Sequence, residues 1–282
     1  MTAQAGYQQG ELGGMPRPLF RVSPSRLLAW LDGPRRYRMQ YLDRPRPAVR
    51  TQRGHTSVGL AVHNALRDWW DLPDGRRTPE AGAELVRTSW IDVGFRDDAQ
   101  SARWRTMAQQ QVVDYLRGLD PAVQPRGIER TVSIRTAALA VQGRIDRLDE
   151  RDGQLVVVDY KTSRSAPTDD EARTSLPLAL YAAAAWKMFR RTCVRVELHH
   201  VPSGTVASHV HTGESLRRKL AEAESIARDA RAAEDDYAQL GVDSTRFPTS
   251  VGPLCAWCDF RAHCPAGQAA GPEKPDWAAL EG

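Results

Sequence analysis

The stretch from Gln142 to Thr162 limits the possible folds of this chain more than any other. Leu155-Val156-Val157-Val158 is a short continuous apolar run, as expected of a strand buried on both faces. It ends in Asp159-Tyr160-Lys161. Side chains alternate along a strand, so Asp159 and Lys161 share a face. Asp152-Gly153 reads as a hairpin turn, which returns Asp146 of Gly143-Arg144-Ile145-Asp146 to a place opposite residues 159–161. A buried strand end carries charged groups where they pair or do chemistry. One reading is an Asp–Lys salt bridge. The other is a reaction centre, in which two carboxylates hold a hard divalent cation, the cation activates water and a lysine steadies developing negative charge.

Around this hairpin the periodicity changes twice. Residues 1–19 are rich in Gly, Gln and Pro and are expected to be disordered. Ser23-Pro24-Ser25 has the form of a helix start. Helical patterning covers about 56–72, 80–94 and 98–119; alternation of period two then predicts strands near 128–135, 138–148 and 154–161. A helix over about 170–190, strands near 194–201 and 205–211 and a long helix over about 214–237 follow. This order predicts an α/β domain over 20–270, with a mixed central sheet flanked by helices and an N-terminal helical segment, followed by a flexible tail over 271–282.

The longest mostly apolar stretch, Leu176 to Trp186, is too short to span a bilayer, and the first twenty residues lack a signal-peptide core. The expectation is a cytoplasmic protein with no membrane partner. Charge is uneven: residues 1–53 hold ten arginines, no lysine and three acids, while the chain as a whole carries +4. A basic arm on a near-neutral body suits a polyanion, and Arg26, Arg35 and Arg36 are the candidate DNA contacts. The alternative is a solvated face in an arginine-rich chain, which has only four lysines.

Gly-Arg-Ile-Asp-Arg-Leu followed by Val-Val-Asp-Tyr-Lys-Thr resembles the PD-(D/E)XK nucleases, and within them the RecB-like exonuclease branch. The resemblance runs from Ser23 to about Pro265. It implies a restriction-endonuclease-like core and a Mg²⁺- or Mn²⁺-dependent deoxyribonuclease. That branch carries a helical Gly-x-x-x-His, matched here by Gly59 to His63. The resemblance therefore implies metal ligands at His63, Asp146, Asp159 and the Tyr160 carbonyl, with Lys161 positioning the nucleophile. It adds two secondary residues, Glu129 before the hairpin and Tyr181 of a Gln-x-x-x-Tyr helix motif; the glutamine's position is occupied by Pro177.

Cys255, Cys258 and Cys264 have the C-x2-C-x5-C spacing of a zinc or iron–sulfur site. The resemblance implies a [4Fe–4S] cluster whose fourth cysteine precedes a proline near the N-terminus, yet that position is Gly33. His263, Asp259 or His55 could complete a site, or the cluster could be absent; Cys193 reads as core. No G-x-x-x-x-G-K-[ST] phosphate loop occurs, so a helicase would have to be a separate protein. The expected function is hydrolysis of DNA, on single strands or ends, in repair or recombination. A non-catalytic nucleic-acid-binding scaffold and a redox-sensing metal protein are the competing readings.

Overall fold

The computed structural model describes residues 19–49 and 52–281. The segment expected to be disordered lies outside them, except for residue 19.

The N-terminal arm begins with β1 (Phe20–Val22), α1 (Pro24–Asp32) and α2 (Pro34–Tyr41). Ser23 caps α1 by accepting the N–H of Arg26, with Pro24 in the first turn. Three helices follow: α3 (Gly54–Asp71), α4 (Pro79–Thr88) and α5 (Asp98–Arg117). The strands β2 (Gly127–Arg135), β3 (Leu139–Arg151) and β4 (Gln154–Lys161) form an antiparallel meander. Next come α6 (Asp169–Thr174), α7 (Leu176–Phe189), β5 (Cys193–His200), β6 (Thr205–Val210), α8 (Gly213–Leu240) and a short α9 (Pro265–Ala269). The helix expected over about 170–190 is therefore two. Ser175 caps the second and Pro177 sits in its first turn, where its missing N–H leaves no lost bond.

β3 organises the mixed sheet. β2 runs antiparallel along one edge, from Gly127 opposite Leu148 to Arg135 opposite Ala140. The other edge is shared: β1 lies parallel to Leu139–Val141, and β4 lies antiparallel to Arg147–Arg151. Between these two neighbours, residues 142–146 face a notch. β5 extends the sheet parallel to β4, and β6 pairs antiparallel with β5.

The apolar run of β4 is buried on both faces. Leu155 and Val157 pack with α7 and α8, through residues such as Leu180, Ala182 and Ile226. Val156, Val158 and Tyr160 pack with Val62, Leu66 and Trp69 of α3 and with Val112 and Leu116 of α5. This two-sided layering makes the strand a continuous apolar run. A third cluster joins Ala29 and Tyr37 of the arm to Ala230 and Ala233 of α8 and to Phe247. The end of the expected flexible tail is folded back instead. Leu280 is buried in the α3–α5 layer, its carbonyl accepts the Trp104 indole N–H, and the Asp276 carbonyl accepts the Gly54 N–H. A single leucine is enough to dock it, a signal too small to stand out in composition.

Candidate active site

The hairpin turn is as expected: Asp152 and Gly153 both have positive φ, at 50° and 75°, the twist a two-residue turn needs. Its register sets Arg147 opposite Val158, so Asp146 comes level with Asp159 just where β3 and β4 part. There the Asp146 carboxylate takes over from the sheet, and its Oδ2 accepts the Tyr160 N–H at 2.9 Å.

His63 reaches the same point from α3. Its Nε2 lies 3.1 Å from the Tyr160 carbonyl and its Nδ1 3.3 Å from Asp146 Oδ2. A carbonyl can only accept, so Nε2 is the donating nitrogen. The His63 Nδ1 faces a carboxylate oxygen, so imidazole, carboxylate and carbonyl converge on one point. The Gly59-x-x-x-His63 spacing has a steric reason. A Cβ on Gly59 would come within 3.2 Å of Thr162 Oγ1, so the glycine lets α3 approach the end of β4 one turn before the histidine.

Asp159 and Lys161 share a face, as the alternation predicts, with Nζ 2.6 Å from Asp159 Oδ2. That oxygen is buried and makes no hydrogen bond of proper geometry, so the ammonium is an ion-pair neighbour only. Burial and the adjacent Asp159 charge push the Asp146 carboxyl up to about 6, against the opposing pull of His63 and the Tyr160 N–H. Among the described residues, no three His, Cys, Asp or Glu side chains form a ready-made metal cage. The donor chemistry is nonetheless that of a hard divalent ion: one imidazole, two carboxylates, a backbone carbonyl and a surplus of buried negative charge.

Glu129 joins this neighbourhood by a backbone irregularity. Its φ is +48°, and it sits between Ile128 opposite Arg147 and Arg130 opposite Ile145. The residue stays in register opposite Asp146, and its left-handed backbone turns the side chain locally. The carboxylate pairs with Arg144 at 2.6 Å and adds to the field that raises Asp146. Tyr181 lies across the notch. A Cβ on Gly143 would fall 2.4 Å from its ring, so only glycine permits this approach. Burial, with Asp159 and Asp146 nearby, pushes the Tyr181 phenol up to about 12. The role of Gly143 was not drawn from the sequence, although its place three residues before Asp146 was visible.

A buried polar layer behind Tyr160 also escaped the sequence reading. The Tyr160 hydroxyl accepts from Trp70 Nε1 and Arg147 Nη1, each at 3.1 Å. Arg147 pairs with Asp149 at 2.9 Å, and Arg151 links Asp149 to Glu197. His199 lies between Glu197, 2.9 Å from Nε2, and the Tyr115 hydroxyl, 2.7 Å from Nδ1. This layer braces the strand whose carbonyl and N–H meet His63 and Asp146.

The three arginines expected to meet DNA are placed in the arm. Arg26 donates to Tyr37 and pairs with Glu234 at 2.5 Å, Arg35 donates to the Phe247 carbonyl, and Arg36 lies 3.6 Å from Asp32. The contacts of Arg26 and Arg35 tie α1 and α2 to the C-terminal half, while Arg36 pairs within the arm.

Cys255, Cys258 and Cys264 line one cavity of about 170 Å³ with Gly33. His263, Asp259 and His55 do not line it. The first bonds the Ala48 carbonyl, the second sits 3.8 Å from Arg53 and the third packs edge-on against Trp257. Cys193 is wholly buried in the sheet core, and burial pushes its thiol up to about 12. The thiol donor set of the cavity therefore stops at three.

A mixed sheet forked beside two carboxylates and a lysine defines a nuclease-type α/β core. The chain belongs to the PD-(D/E)XK nuclease superfamily, whose family model matches residues 21–265. Among solved structures it is similar to a candidate exonuclease from Eubacterium rectale, at 11% identity and TM-score 0.47, over 76% of this chain and 82% of that one. It is also similar to the protein SSO0001, at 16% identity and TM-score 0.33, over 74% and 85%. No curated protein matches. No helix among the described residues is long and apolar enough to cross a membrane.

Proposed function

We propose that this protein is a metal-dependent deoxyribonuclease of the RecB-like branch, acting on single strands or DNA ends in repair or recombination. The observation that carries the reading is the convergence of His63, Asp146, Asp159 and Lys161 at the notch, with the His63 Nδ1 3.3 Å from an Asp146 carboxylate oxygen. His63, Asp146, Asp159 and the Tyr160 carbonyl would hold Mg²⁺ or Mn²⁺. Such an ion lowers the pKa of its bound water and polarises a phosphodiester. Asp146 fixes the Tyr160 peptide, and His63 reads the other side of the same residue through its carbonyl. Lys161 pairs with Asp159, and with a cation held by Asp159 its ammonium would be available to a phosphate. The uneven charge of the chain supports a polyanionic substrate. An ATP-driven helicase would be its partner in that work, and the compartment would be the cytoplasm. The three-thiol cavity has no step in this chemistry; its place is at the clasp between arm and C-terminal segment.

A second reading, a nucleic-acid-binding scaffold on the same fold, draws on the closed Asp159–Lys161 pair and on Pro177. Degradation of labelled single-stranded DNA in Mg²⁺ or Mn²⁺ separates the two. The nuclease predicts cutting that is lost in Asp159→Ala and Lys161→Ala. Binding without cutting in either ion supports the scaffold, and cutting retained by both variants places the reaction elsewhere.

A further inference from the structure

A second cavity, of about 590 Å³, adjoins the end of β4. One wall is the end of β4 and the turn beyond it, from Tyr160 to Arg164; the other is α5. Trp104, Met107 and Gln111 line that wall. Their spacing of three and then four residues puts them on one face of the helix. The volume lies within the roughly 300–1,000 Å³ of ordinary small-ligand sites.

Each wall residue offers something different. Trp104 is half-buried, and its indole N–H is held by the Leu280 carbonyl at 3.3 Å, which fixes the ring's edge. Met107 is 39% exposed, an apolar and polarisable thioether at the cavity mouth. Gln111 is half-buried, and its amide makes no hydrogen bond among the described residues, which leaves both donors and acceptor for a ligand. Lys161, Arg164 and Glu281 also line the cavity, the Arg164 guanidinium 3.5 Å from the Glu281 carbonyl. An aromatic plane, a thioether and a free amide, with the Arg164 cation beside them, suit a flat heteroaromatic group carried on a phosphate chain.

We infer that this cavity is a nucleobase subsite, which takes one unstacked base of the strand being cut. The inference rests on the nuclease reading, because Lys161 belongs both to the reaction centre and to the cavity rim. A phosphodiester beside Lys161 leaves its attached nucleoside as the nearest part of the substrate to this opening. The site admits a base that has left its stack and closes against a base pair, whose partner base would meet α5 or the folded-back Leu280 segment. Selection for single strands follows from this shape, with Trp104 as the stacking platform. Stacking on an aromatic side chain is sequence-tolerant, because every base has a π-face.

The test compares a thymidine 12-mer with a 12-mer built of abasic tetrahydrofuran units, each carrying a fluorophore. Binding is read by anisotropy in EDTA for the wild type, Trp104→Ala, Trp104→Phe and Met107→Ala. The wild type should prefer the thymidine strand by about 5- to 100-fold, the range given by base–aromatic stacking. Trp104→Ala should lose most of that preference while binding the abasic strand as before, and Met107→Ala should lose a smaller part. Trp104→Phe, which keeps a ring in the wall, should retain most of it and shows that the site is folded. Equal wild-type affinity for the two strands overturns the subsite, as does an equal loss by Trp104→Ala on both. Cleavage of the thymidine strand by the wild type in Mn²⁺ is scored separately. Cutting without base preference rejects the subsite and leaves the nuclease standing, whereas absence of cutting in any divalent ion removes both.

Discussion

The N–H of Tyr160 is taken by the side chain of Asp146, 2.9 Å away, at the point where β3 and β4 separate. One carboxylate thus has two duties, holding the strand end and facing His63. The duties separate by substitution. Asp146→Asn keeps an oxygen acceptor for the peptide and removes the charge. It should retain the fold, with a thermal midpoint within a few degrees of wild type, while nuclease activity falls by about 100-fold or more. Asp146→Ala also orphans the buried N–H and should cost a further ~1–3 kcal/mol in urea unfolding. Full activity in Asp146→Asn would remove this residue from the chemistry.

Gly143 and Tyr181 make a second test of the notch. A methyl group on Gly143 would sit 2.4 Å from the tyrosine ring, inside any tolerable contact. Gly143→Ala should therefore cost about 1–3 kcal/mol by chemical denaturation, the range for overpacking. The paired change Gly143→Ala with Tyr181→Ala should recover part of that loss, because the obstacle is gone. No recovery in the double variant would mean that the glycine serves the backbone alone.

These two sites show what the sequence carried and what it did not. The pair Asp159 and Lys161, and Asp146 opposite them, were legible because strand alternation and a two-residue turn allow only one register. The same alternation marked the two-sided burial of β4. His63 was legible only by resemblance, since nothing in helical periodicity says which turn of α3 meets the strand end. Glu129 too was named only by resemblance, since the left-handed residue inside a strand that carries it leaves no mark in the residue types. Composition records charge but not partners: nothing in the sequence says that Arg26 pairs with Glu234 or that Arg35 bonds the Phe247 carbonyl.

Glu197 yields a pH prediction. It is 2% exposed, a burial that alone would raise its pKa, yet hydrogen bonds from His199, Arg151 and Arg195 hold the carboxyl well below the usual range. A depressed folded-state value stabilises the protein at pH above the unfolded value, here about 4.5. The contribution fades as pH falls below that value toward the depressed one. Burial lowers the His199 pKa, so its neutral ring can donate from Nε2 to Glu197 and accept from Tyr115 at Nδ1. Glu197→Gln should lose about 3–5 kcal/mol at neutral pH, the cost of breaking a buried ionic network. Its stability should also change less than that of the wild type between pH 5 and pH 3, where part of the wild-type contribution is lost. An unchanged acid limb in urea titrations at those pH values would show that Glu197 is not the group responsible.

The cysteine cavity gives the last test, and it turns on a residue with no side chain. Gly33 lines the cavity opposite Cys255, Cys258 and Cys264, in extended backbone that any residue can adopt, with φ at 168°. A Cβ added there meets only the Arg36 Cβ, at 4.0 Å, so Gly33→Cys has room. The variant should fold with a thermal midpoint close to that of the wild type. It would raise the thiols of the cavity from three to four, and four is the number of thiolates a cubane cluster takes. Anaerobic incubation with iron and sulfide should give Gly33→Cys a stable brown absorption and bound iron, with the arm protected from proteolysis. The wild type, with three thiols, should release iron on desalting. Stable iron in the wild type at the level of the variant would show that a group other than residue 33 completes the site. A colourless variant would mean that the three thiols do not converge on a common centre.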